Sequence, residues 1–66
     1  MQISDLKVLI AGCGSIGKRH AQVLRELGIT RLAACDPSDV SREAMRALVP
    51  DMRLYNDYAE ALAVEI

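Results

Sequence analysis

Three glycines and one aspartate are the residues of this chain best placed to do chemistry. Gly12, Gly14 and Gly17 form a Gly-x-Gly-x-x-Gly run, and Asp36 follows 19 positions after the last of them. Four consecutive apolar residues, Val8 to Ala11, lead directly into the first glycine. Beyond the run the pattern turns helical, with Ile16, His20, Val23/Leu24 and Leu27 falling on one face. In that strand–turn–helix order the glycines suit the pyrophosphate of a dinucleotide. Gly12 permits a sharp exit from the strand, and Gly14 lets the backbone approach a phosphate closely. Gly17 removes a side chain where helix and strand must touch. Amides around Ser15 and Ile16 then face the phosphates from the positive end of the helix.

Asp36 closes the second apolar run, Arg31 to Cys35, just before Pro37. A carboxylate at that point can accept both hydroxyls of an adenine ribose. The same charge repels a 2′-phosphate, so NAD is favoured over NADP. The plainer alternative is a turn aspartate before proline. Ser38 and Arg42 lie close enough in sequence to accommodate a phosphate, but read first as a helix N-cap and a solvated helix residue. His20 is expected to be a packed, structural histidine. Lys18 and Arg19 are expected to be solvated. Cys13 and Cys35 are expected to be reduced, buried neighbours, and no spacing of either suggests a metal site. Tyr55 and Tyr58 are expected to pack over the edge of the third strand.

The elements that would hold these residues follow a β-α-β-α-β-α order. A short leader, Met1 to Asp5, precedes a strand at Leu6 to Ala11, and a helix runs from Ser15 to Leu27 with Gly28 as its left-handed cap. The second strand stops at Asp36-Pro37 because proline cannot donate to a ladder. A second helix follows Ser38, with Val40, Ala44, Ala47 and Leu48 as its apolar face, and Pro50 ends it. Met52 to Tyr55 forms a third strand. Asp57 and Glu60 open a third helix reaching Ile66. Right-handed crossovers give a parallel sheet ordered third–second–first strand, with the third helix on the opposite face from the other two.

Length and charge narrow the classes. The 66 residues carry a formal net charge of −1 with acids and bases interspersed, so no basic patch points to nucleic acid. No apolar run is long enough for a bilayer span, and the N-terminus has no signal-peptide pattern, which makes the cytoplasm the expected location. A complete dinucleotide-binding domain needs roughly twice this length, so the chain is expected to form an incomplete, Rossmann-type half domain lacking a fourth strand. The first strand would then be an exposed apolar edge, and self-association through it, by antiparallel pairing about a two-fold axis, is expected.

The runs Gly12-Cys13-Gly14-Ser15-Ile16-Gly17-Lys18-Arg19-His20, Ala34-Cys35-Asp36-Pro37 and Leu54-Tyr55-Asn56-Asp57-Tyr58 stand in that order along the chain. Together they resemble the start of the glucose–fructose oxidoreductase, inositol dehydrogenase and MocA family, over essentially the whole chain. The resemblance implies an NAD(P)-dependent oxidoreductase of sugars or related polyols, with a Rossmann domain followed by an α+β domain, and usually oligomeric. On the motif match, Gly12, Gly14, Ser15, Ile16, Gly17 and Asp36 would contact the dinucleotide. Family members continue into a fourth strand, a Glu-Lys-Pro-type motif whose lysine works at the substrate, and a histidine-bearing domain. None of these is in the 66 residues, so the resemblance assigns no catalytic residue. A noncatalytic nucleotide-sensing module, and a structural remnant that keeps the glycine turn for folding alone, are the other two readings.

Overall fold

The apolar run before the first glycine becomes the edge strand of a parallel sheet. The computed structural model describes residues 2 and 5–65. Its elements are β1 (Lys7–Ala11), α1 (Ser15–Glu26), β2 (Arg31–Cys35), α2 (Asp39–Leu48), β3 (Arg53–Tyr55) and α3 (Tyr58–Glu65). The sheet has the order β1-β2-β3 with both pairings parallel, as the crossover argument requires. The result is the three-stranded Rossmann-like α/β arrangement expected from the pattern. Of the expected leader only Gln2 and Asp5 are described, and Ile66 at the end of the third helix also lies outside the described residues. Among the described residues no helix is long and apolar enough to cross a membrane.

Residues two apart share a sheet face. Val8, Ile10, Leu32, Ala34 and Leu54 turn to one side, where they meet Ala21, Ile29, Met45, Val49 and Met52 in the core. β2 is the central strand and is buried from Leu32 through Cys35, which explains its unbroken apolar run. The other face is held by α3. Glu65, only 7% exposed, accepts from Arg53 Nε at 2.5 Å and Nη2 at 2.7 Å, and from the Tyr55 hydroxyl at 2.5 Å. Lys7 Nζ donates to the Glu65 carbonyl oxygen at 3.4 Å. These ties pull the end of α3 across the face opposite α1 and α2.

The expected helix signals operate. Gly28 takes φ +96°, and the amides of Gly28 and Ile29 donate back to Arg25 O and Leu24 O, a Schellman closure with Ile29 buried beyond it. Ser38 Oγ accepts from the Ser41 amide at 3.2 Å and caps α2. Asp57 Oδ1 accepts from the Ala59 amide at 2.8 Å at the start of α3. The inward faces differ from expectation. On α1 the stripe against the sheet is Gly17, Ala21 and Leu24, whereas Ile16, Val23 and Leu27 are exposed. Small residues win there because close approach at Gly17 sets the roll of the helix. On α2 the inward residue is Met45, not the line through Val40 and Leu48, both of which are exposed. A single long, unbranched thioether fills the space that several smaller residues were expected to share. Of the tyrosines, Tyr55 packs as described through its hydroxyl, while Tyr58 is exposed.

Candidate functional site

The glycine run turns the chain out of β1 and into α1. Gly12 has φ +116°, a conformation that side chains disfavour, and its amide donates to Cys35 O at 2.7 Å. That bond fastens the start of the turn to the end of β2. Gly14 is the N-cap of α1 in extended conformation, and a Cβ built on it would meet nothing within 4 Å. Gly17 is the opposite case. A Cβ there would overlap the carbonyl oxygen of Gly12 and lie 3.0 Å from its carbonyl carbon. One glycine therefore leaves open space before the turn, and the other permits contact behind it.

The first helical bond runs from the Lys18 amide to Gly14 O at 2.9 Å. The amides of Ser15, Ile16 and Gly17 precede it and have no intrahelical acceptor. Among the described residues no side chain caps this end, and no acid lies in its first turn. Donors and helix dipole together favour an anion at this point.

Asp36 is joined to the same turn. Its Oδ2 accepts from the Cys13 amide at 2.9 Å and its Oδ1 from the Ser38 amide at 2.8 Å. These two amides, the Cys13 one foremost, hold its carboxyl below the usual carboxylate range, so it is ionised near neutrality. An ionised carboxylate oxygen can accept more than one hydrogen bond, so both oxygens keep capacity for hydroxyl donors. The Asp36 amide donates to Tyr55 O at 3.0 Å, which fixes the backbone between β2 and β3. Arg42 Nη1 donates to the Asp36 carbonyl oxygen at 2.6 Å while Nη2 pairs with Asp39. The expected solvated arginine is thus engaged with the very loop that carries the acid.

All six residues singled out from the sequence, Gly12, Gly14, Ser15, Ile16, Gly17 and Asp36, gather at the C-terminal ends of β1 and β2. His20 departs from expectation. It is exposed on α1 and lines an open groove of about 870 Å³ beside β1, together with Val8, Leu9, Ile16, Val23 and Leu24. The roll of α1 that brings Ala21 inward carries His20 outward. Cys13 and Cys35 are both free and buried. Burial pushes the Cys13 thiol up, with Asp36 adding to it, and burial likewise raises Cys35. Two features had no local signal: the Cys13 amide as the link to Asp36, and the Arg53–Tyr55–Glu65 cluster on α3's face. Both join residues at least ten positions apart. No family model, curated protein or solved structure matches this chain.

Proposed function

We propose that this chain binds a dinucleotide, NAD in preference to NADP, as the cofactor-binding part of an oxidoreductase acting on sugars or polyols. One observation carries the reading: the Asp36 carboxylate is hydrogen-bonded into the glycine turn itself through the Cys13 amide. That joint sets a hydroxyl-accepting carboxylate beside amides that have no intrahelical acceptor, the two chemistries that the ends of an adenosine diphosphate require. The open space at Gly14 supports backbone approach of the pyrophosphate. Ser15, Ile16 and Gly17 supply amide donors, Gly12 shapes the turn, and Asp36 receives the ribose hydroxyls. The bound nicotinamide would supply hydride transfer, and the residues of this chain bind and orient the nucleotide.

Preference for NAD rests on charge. A 2′-phosphate would meet an ionised carboxylate, and the nearest guanidinium, on Arg42, is already engaged by Asp36 O and Asp39. The contact is unfavourable, and solvent screening keeps it modest. Calorimetric titration of the chain with each cofactor at moderate salt tests the reading. NAD is expected to bind, with NADP several-fold weaker. Equal or tighter binding of NADP would contradict the assignment of Asp36, and absence of NAD binding would contradict the function.

A further inference from the structure

Arg42 reaches back from α2 to the loop that carries Asp36, and both of its terminal nitrogens are held there. Nη1 donates to the Asp36 carbonyl oxygen at 2.6 Å, and Nη2 pairs with the Asp39 carboxylate. The guanidinium is largely withdrawn from water and its partner is not. The Arg42 side chain is 18% exposed, that of Asp39 87%. The Arg42 charge also reaches the candidate site. The Cys13 and Ser38 amides do most to hold the Asp36 carboxyl below its ordinary range, and Arg42 adds to them. The same helix supplies a comparison. Glu43 and Arg46 repeat the acid–arginine spacing one turn later, at 2.7 Å, with both side chains more than half exposed. That is a solvated surface pair of small consequence. The Asp39–Arg42 pair has the same spacing, but its cation is fixed against the loop of the candidate ribose-binding acid.

We propose that Asp39 is a second determinant of cofactor choice, acting through Arg42 and not by contact with the nucleotide. The inference rests on the dinucleotide reading of the glycine turn and Asp36. A guanidinium presents five N–H donors in a fixed fork that matches a phosphate. Beside a carboxylate that receives ribose hydroxyls, such a fork suits the 2′-phosphate of NADP. Asp39 denies Arg42 that role in two ways. Its carboxylate occupies Nη2, and its charge offsets that of the guanidinium, so the Asp36 charge stands uncompensated. Without Asp39, the bond to Asp36 O still keeps the guanidinium at the loop. The second nitrogen and the positive charge are then released to a phosphate. NAD brings only hydroxyls to this point and gains nothing from the release. The two acids therefore act differently: Asp36 accepts the ribose, and Asp39 withholds the cation that would favour the phosphorylated form.

Calorimetric titration of the full 66-residue chain with NAD, and with NADP in competition against it, tests this. Asp39→Ala changes a side chain that stands in water, so the fold is kept, as circular dichroism checks. It is expected to strengthen NADP binding about fivefold while NAD affinity stays within about twofold. Glu43→Ala removes the same charge from the same helix and is expected to change neither. In an Arg42→Ala background the gain from Asp39→Ala is expected to vanish, which separates release of the guanidinium from general relief of repulsion. An NADP-to-NAD affinity ratio unmoved by Asp39→Ala would overturn the inference while NAD binding stands. So would a gain that survives in the Arg42→Ala background, or an equal gain from Glu43→Ala. Absence of NAD binding by the parent chain would overturn the proposed function, and the inference with it.

Discussion

At the scale of single residues, the two inner glycines of the turn separate folding from binding. Gly14→Ala adds a methyl group into open space at an allowed backbone conformation. It is expected to leave the melting temperature within a degree or two and to weaken NAD binding at least tenfold, by obstructing the phosphate. Gly17→Ala drives a methyl group into the Gly12 carbonyl. The expected cost is about 1–3 kcal/mol of stability, read as a lowered melting temperature. Asp36→Ala removes the charge-assisted acceptor and should weaken NAD binding about tenfold, with a smaller loss or a gain for NADP, measured by parallel titrations. Glu65 makes a separate prediction. Arg53 and the Tyr55 hydroxyl hold its carboxyl at about 2, against 4.5 ordinarily. Between those values the unfolded chain binds more protons than the folded one, so this stabilisation is complete above about pH 4.5 and is lost as pH falls toward 2. Urea unfolding at pH 6 and pH 3 should show the difference, and Glu65→Gln should flatten it.

At the scale of elements, the most local signals were the most legible. Gly28, Ser38 and Pro50 each act within a few residues, and each ends or begins a helix where the sequence pattern placed it. Gly28→Ala tests one of them. The Schellman closure holds Gly28 at φ +96°, so alanine there should cost about 1 kcal/mol in thermal unfolding without altering β2. Which face of a helix turns inward was less legible. Apolar spacing on α1 admits two neighbouring stripes, one of large residues and one of small. The choice between them is made by the Gly17–Gly12 approach, a contact across the turn that hydrophobicity alone does not encode. On α2 the choice falls to Met45, whose reach is invisible to a count of apolar positions. His20 is exposed for the same reason, since it belongs to the stripe of α1 that turns outward. The order and parallel pairing of the strands followed instead from handedness, which owes little to side chains.

At the scale of the whole molecule, the sheet places the candidate site at the C-terminal ends of β1 and β2. The glycine turn and Asp36 could be associated from spacing alone, but the bond that unites them runs through the Cys13 backbone, which no side-chain pattern reveals. That bond makes the turn and the acid one unit, so a ligand should perturb both together. Amide-resolved NMR of the isotopically labelled chain, titrated with NAD, reads this most directly. Concerted shifts are expected at the amides of Gly12 through Gly17 and of Asp36 and Ser38, saturating with one affinity, while α2 beyond Ser41 and β3 stay unchanged. No shift at millimolar NAD, or shifts centred away from the glycine turn, would contradict it.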